Sequence, residues 1–166
     1  MAGIVIFVLL IFATLLQNSI VNQISMLYGS ADLVLLVLLA WILQSEEKQY
    51  WLPGFFAGFL IGFSSALPVW LPMVEYVLVV AVVTFLQRRV WQVPIWLLLT
   101  STILSSLLVY AVEFIYLIGT GVEFDLLTAF NLLLLPTIVL NLIFSLPIYG
   151  VMGEVGKLLY PEKVEA

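Results

Sequence analysis

Cysteine and histidine are missing from this sequence altogether, and charged residues are scarce. Without cysteine the chain has no disulfides and no thiolate metal sites. Without histidine it lacks the commonest general base and the commonest metal ligand. Charged residues make up 9% of the chain, whereas an ordinary soluble domain has about 25%. The chain therefore has too little polar surface to face water on all sides.

The motifs typical of many enzymes and nucleic-acid-binding proteins are missing as well. The sequence has no nucleophile and base pair, no metal-ligand spacing, no phosphate-binding loop and no basic patch. The glycines from Gly54 to Gly62 do not form a phosphate loop, because no Lys-Ser or Lys-Thr pair follows them. Acid chemistry by Glu75 with Glu113 stays open as an alternative, although the sequence defines no pocket for it. We therefore expect no enzymatic activity, no catalytic residue, no cofactor, no bound metal and no nucleic-acid partner.

Long apolar runs dominate what is present, and hydrophobic residues make up 64% of the 166 residues. Several such runs, separated by short polar breaks, are typical of a polytopic membrane protein. We predict a single integral membrane domain over residues 1–166, an all-α bundle of about six transmembrane helices in the lipid bilayer. The predicted spans are 3–24, 31–46, 51–66, 73–87, 94–118 and 131–152.

The first two spans each have an alternative interpretation. No Lys or Arg precedes the first run and no A-x-A site follows it, so we interpret it as a retained span and not as a signal peptide. The second run, from Leu33 to Leu43, is short for a bilayer and is compatible with a re-entrant segment.

The orientation in the membrane follows from five basic residues. Lys48 follows the second span, Arg88 and Arg89 follow the fourth, and Lys157 and Lys163 follow the sixth. Because Lys and Arg are retained on the cytoplasmic side, we expect both termini to be cytoplasmic. A re-entrant second run would place Lys48 opposite the arginine pair, so we reject the five-span arrangement.

Small residues recur at every fourth position of the third span. In an α-helix, residues four apart share a face, so this row presents a stripe with almost no side chain. Such stripes let another helix approach closely within a membrane. The row serves either as packing inside the bundle or as a site for a partner protein's helix, and we expect its helix to be the central one. Its members are Gly54, Gly58, Gly62 and Ala66.

A second packing face is predicted in the middle of the fifth span. Ser101 and Ser105 belong to a run of small and hydroxyl-bearing residues there. Hydroxyls in such a row hydrogen-bond to their own backbone or to a neighbouring helix. Asn141 lies near the centre of the sixth span, which Pro136 and Pro147 are expected to kink. We assign both serines and Asn141 to helix packing or to a partner interface.

Four polar residues are candidates for function. Gln17 lies in the polar end of the first span. Asp32 and Glu75 each lie in the predicted first turn of a helix, where the helix dipole favours a carboxylate, and Ser30 is the expected N-cap of the second span. Glu113 lies within the fifth predicted span and beyond its first turn, about 7–8 Å from its outer end. An intramembrane carboxylate is a functional candidate, the alternative being a hydrated or protonated residue near the interface.

The order of these motifs resembles the MreD family, the small polytopic rod-shape-determining proteins of bacteria. Leu16-Gln17-Asn18-Ser19, followed by Gly29-Ser30-Ala31-Asp32-Leu33, is similar to the family's polar-ended first helix and the Pro-Asp-Leu opening of its second. Gly54-x-x-x-Gly58 with Pro68 resembles its glycine-rich third helix and proline turn. The last span is similar in its proline and asparagine residues, Pro136, Asn141 and Pro147.

Two positions depart from the family's pattern. Ala31 stands where the family usually has proline, and Gly62 stands where an aspartate is common. If that aspartate has a mechanistic role, this chain does not share the role in that form.

The resemblance implies a non-enzymatic scaffold or adaptor in the cell-elongation complex, which synthesises peptidoglycan and maintains rod shape at the bacterial inner membrane. The partners it implies are the bitopic protein MreC first, then RodA, a penicillin-binding protein and the actin-like MreB. The family's fold also looks related to the six-helix substrate-binding subunits of vitamin transporters. The alternative function is therefore a small-molecule-binding transport component, which should have a polar pocket near the midplane. The sequence offers little there besides Asn141 and the hydroxyls of the fifth span.

Overall fold

The computed structural model describes residues 2–19, 28–45, 49–89, 94–123 and 125–159, and most of these residues are helical. No strand occurs within these ranges, so the all-α prediction is confirmed. A π-helical turn, Phe130–Leu134, joins the last two helices into one continuous segment. The helices are α1 (Ala2–Ser19), α2 (Leu33–Gln44), α3 (Trp51–Ser64), α4 (Trp70–Arg89), α5 (Pro94–Gly119), α6 (Leu126–Ala129) and α7 (Leu135–Leu159).

Helix α2, which has 12 residues, lies at the centre of the bundle. It packs against α1, α3, α4, α5 and α7, and its residues from Val34 to Ile42 are buried except Val37. Its sequence, LVLLVLLAWILQ, is apolar on every side, and a helix of that kind is stable only when other elements surround it. The glycine-rich helix α3, expected at the centre, instead packs mainly against α4.

The small residues of α3 bring its backbone close to α4. Gly54, Gly58 and Gly62 are buried, and a Cβ atom on Gly54 would lie 2.5 Å from a methyl carbon of Val80. The glycine row is therefore covered by a helix of the same bundle. Ala66 lies beyond the end of α3 and is exposed, so it does not extend the row.

The hydroxyl face of α5 is also buried inside the bundle, where α5 packs against α4, α7 and α2. The hydroxyl oxygens of Ser101 and Ser105 have no hydrogen-bond partner among the described residues. Thr102, by contrast, donates to the carbonyl oxygen of Leu98 at 2.9 Å. The two serines thus act here as small side chains that allow close helix approach.

Three helical segments are long and apolar enough to cross a membrane: Trp70–Arg88, Pro94–Gly119 and Leu126–Leu159. Helices α1, α2 and α3 are shorter, and the 12 residues of α2 extend over about 18 Å of a hydrocarbon core that is about 30 Å thick. Because α2 is enclosed by other helices, its ends meet protein and need not reach the bilayer surface. The end of the first predicted span, with Lys48 and Lys163, lies outside the described residues.

The chain before α2 is attached to the last helical segment next to Pro136, which leaves a carbonyl oxygen free to accept a hydrogen bond. A proline has no N–H to donate to the carbonyl four residues earlier, here that of Leu132. The backbone N–H of Tyr28 donates to the Leu132 carbonyl oxygen instead, at 3.2 Å. The next residue, Gly29, packs so closely that a Cβ atom on it would lie 2.7 Å from the backbone nitrogen of Thr137. Residues 28–32 therefore run along α7 and deliver the start of α2 into the bundle.

Candidate functional site

Asp32 connects three helices at the start of α2. Its Oδ1 accepts the backbone N–H of Leu35 at 3.0 Å, which makes Asp32, and not Ser30, the N-cap. Its Oδ2 accepts the hydroxyl of Tyr76 on α4 at 2.6 Å. Its own backbone N–H donates to Oδ1 of Asn141 on α7 at 2.8 Å. Both carboxyl oxygens of Asp32 are thus used within the fold.

Gln17 and Asn141 extend this network to α1 and α5. The side-chain oxygen of Gln17 accepts the backbone N–H of Val34 at 3.2 Å, so α1 also caps α2. Asn141, which is buried, donates from Nδ2 to the hydroxyl oxygen of Ser106 at 2.9 Å. A buried amide with partners on two sides holds helices in a defined arrangement. Asn141 therefore fixes α7 against both α2 and α5.

A polar cavity of about 150 Å³ lies beside this network. Residues from α1, α2, α3, α4, α5 and α7 line it, together with the residues that lead into α2. Among the described residues, no Lys or Arg lines the cavity. The lining brings together the candidates Gln17, Asp32, Glu75, Glu113 and Asn141.

Glu75 is the most unusual member of the lining. Its exposed fraction is 1%, and its Oε1 has no hydrogen-bond partner within the described residues. From the sequence we predicted that Glu75 lies in the first turn of its helix, where the helix dipole favours a carboxylate. That prediction is wrong, because α4 begins at Trp70 and Glu75 lies deeper in the helix. A buried carboxyl without a partner costs free energy in either protonation state. Glu113 lies across the cavity on α5 and is partly exposed.

Sequence reasoning missed Thr137 and the two tyrosines of this site. Tyr76 is buried and hydrogen-bonded to Asp32, and the Tyr110 hydroxyl lies 3.0 Å from that of Thr137, with either oxygen as donor. A tyrosine in an apolar run is also typical of a membrane interface, so the sequence carried no clear signal. Over the described part of the chain, no three acidic side chains lie close enough together to hold a metal ion.

An apolar groove lies on another side of the bundle. Helices α1 and α7 both pack on α2 without packing closely against each other along their described lengths. The space between them is about 350 Å³, and only apolar residues line it. They include Phe12, Leu16, Val37, Phe144, Pro147 and Val151.

Comparison with other proteins adds nothing to this description, because no family model, curated protein or solved structure matches the chain. The class of protein is clear from the fold itself. Its described residues form an all-α bundle whose longest helices have the length and composition of membrane spans, with a polar, acid-lined cavity inside it and an apolar groove on its surface.

Proposed function

We propose that this protein is a non-enzymatic adaptor of the bacterial cell-elongation complex and that MreC is its main partner. The observation that supports this best is the apolar groove between α1 and α7, since the resemblance to the MreD family implies a partner with a single transmembrane helix. RodA, a penicillin-binding protein and MreB are further members of the proposed complex. On this proposal the protein contributes to peptidoglycan synthesis and rod shape by holding other proteins together.

In a bilayer the groove is filled either by lipid tails or by a helix of another protein. Lipid tails are as apolar as leucine, so helices associate in membranes through close packing. A groove lined by side chains from three helices offers a partner helix more contact than a convex surface does. Interface energy usually depends on a few buried anchors with tolerant surroundings. A helix from MreC would therefore depend on a few side chains that enter the space near Phe144 and Val151.

We further propose a multi-pass protein of the inner membrane with six spans and cytoplasmic termini, since Lys and Arg lie at or just after the ends of the second, fourth and sixth predicted spans. The absence of cysteine makes this testable with single cysteines. Gln49, Ala66 and Val122 are exposed positions in the three turns that distinguish the two sides. With an impermeant thiol reagent on right-side-out spheroplasts, we expect labelling of Ala66→Cys and Val122→Cys. Gln49→Cys should react only after permeabilisation, and its labelling in sealed spheroplasts would refute the orientation.

The adaptor proposal predicts a specific effect of filling the groove. Val151 is 64% exposed and lines the groove, so Val151→Trp adds bulk where the MreC helix would lie. We expect recovery of MreC with the purified protein to fall about tenfold, because losing a few packing contacts costs about 1–3 kcal/mol. Rod shape should be lost in the same cells.

The matched control is Ile115→Trp on α5. Ile115 is 70% exposed and lines neither the groove nor the cavity, so this change should leave MreC recovery and cell shape intact. If both variants retain MreC equally, the groove is not its site.

The polar cavity favours a second candidate function, a small-molecule-binding transport component. Such proteins bind substrate among polar groups at helix ends inside the bundle, and the cavity at the start of α2 has this character. The two functions differ in what they predict for the cavity residue Glu75. A transport component with Glu75→Gln should lose its role in rod shape while MreC recovery stays complete. That result would favour transport over the adaptor role.

A further inference from the structure

We propose that the cavity at the start of α2 is a binding site for a single cationic group, a primary ammonium or a guanidinium, held by Glu75 with Glu113 as the second carboxylate. Glu75 lines the cavity and is only 1% exposed, and its Oε1 has no hydrogen-bond partner among the described residues. Such a buried, unpaired carboxyl is what a cationic ligand would satisfy.

The roles of the three acids differ. Asp32 uses one carboxyl oxygen to cap α2 and the other to accept the Tyr76 hydroxyl, so it positions the site and has little capacity left for a ligand. Glu75 is the more deeply buried of the two glutamates that line the cavity, and Glu113 is partly exposed. A ligand would therefore pass Glu113 before it reaches Glu75.

The charged groups of the cavity decide the class of ligand. The Tyr76 hydroxyl already donates to Asp32, and one N–H of the Asn141 amide already donates to Ser106. The acids that remain for a ligand are Glu75 and Glu113, and ionised carboxylates only accept hydrogen bonds. An ammonium or guanidinium group only donates. It therefore matches these acceptors in hydrogen bonding as well as in charge, whereas an anion would be repelled.

Size limits the ligand further. A volume of about 150 Å³ admits one small group and not a lipid headgroup with its chains. Since charge-assisted hydrogen bonds are about twice as strong as neutral ones, a buried cation would compensate the carboxyls that the fold leaves without partners. The cation could belong to a small amine or to a lysine or arginine of a neighbouring helix, and the chemistry of recognition is the same for both.

The test uses the purified full chain in phosphatidylcholine nanodiscs without any partner, so its outcome does not depend on the adaptor proposal. Calorimetric titration with ethylammonium and ethylguanidinium should show saturable binding, and ethanol and acetate should show none. Glu75→Gln should weaken cation binding at least tenfold, and Glu113→Gln should weaken it less. Glu123→Gln, at an exposed acid outside the cavity, should have no effect. Thermal unfolding of each variant verifies that it is folded.

A second arm distinguishes the two sources of the cation. A single-span peptide with one lysine is compared in the same nanodiscs with its norleucine counterpart. If only the lysine peptide binds and ethylammonium displaces it, the natural ligand is a side chain of a neighbouring helix. If ethylammonium binds and the peptide does not, it is a free amine. Absence of cation binding, equal binding of ethanol, or unchanged binding in both glutamine variants would overturn the proposal.

Discussion

Replacing Gly58 with alanine should destabilise the bundle severely, although only one methyl group is added. A Cβ atom at this position would lie 2.4 Å from the carbonyl oxygen of Pro72 and 2.6 Å from the Cα of Met73. Both are backbone atoms of α4, so relief requires the two helices to move apart. Overpacking of this kind costs about 1–3 kcal/mol or more. We expect a clear fall in the thermal unfolding temperature and in the yield of monodisperse protein in mild detergent, and a larger fall for Gly58→Leu.

Gly150→Ala is the matched control, because it adds the same methyl group to a helix. No atom lies within 4 Å of a Cβ built on Gly150, and alanine favours a helix by about 1 kcal/mol over glycine. This variant should be neutral or more stable. Equal stability of the Gly58 and Gly150 variants would mean that α3 and α4 are not in the described contact.

The second large effect is expected at Asp32. Asp32→Ala removes the side-chain cap of α2, worth about 0.5–2 kcal/mol. It also leaves the buried hydroxyl of Tyr76 without its acceptor, which costs about 1–3 kcal/mol more. Thermal unfolding in detergent should show the combined loss. Adding Tyr76→Phe should restore part of the stability, because the unpaired hydroxyl is then gone.

Asp125→Ala shows how much stability is lost when only a helix cap is removed and no buried hydroxyl loses its acceptor. Asp125 is also an N-cap, accepting the backbone N–H groups of Leu127 and Thr128 at 3.3 and 3.1 Å, but it is exposed and satisfies no buried hydroxyl from another helix. Its loss should affect stability much less than that of Asp32. If Tyr76→Phe rescued nothing in the Asp32→Ala background, the hydrogen bond between the two residues would not contribute to stability.

Composition and periodicity were sufficient to predict the helical class and most of the helices. Helix boundaries were less predictable where tertiary contacts decide them. The third span was predicted to 66, but α3 ends at Ser64, and the fourth was predicted from 73, but α4 begins at Trp70. Pro72 is tolerated inside that start, because the first turn of a helix needs no N–H there.

The candidate site was predictable as single residues but not as a cavity. Gln17, Asp32, Glu75, Glu113 and Asn141 were each selected for polarity in an apolar chain. What joins them is long-range: the hydrogen bond from Asp32 to Asn141 connects residues 109 positions apart. No local pattern encodes such a contact, because it depends on how the helices pack around α2. For the same reason the burial of Glu75 could not be read from a position near the start of α4.

Photo-crosslinking in cells shows whether MreC lies in the apolar groove, as we propose. A photoreactive phenylalanine analogue replaces Phe12, which lines the groove and is 58% exposed. The same analogue at Ile115, and at Leu127 in a separate surface groove beside α5 and α6, provides the comparison. We predict a crosslink to MreC from position 12 and none from position 115 or 127. A crosslink from 115 or 127 without one from 12 would contradict the account.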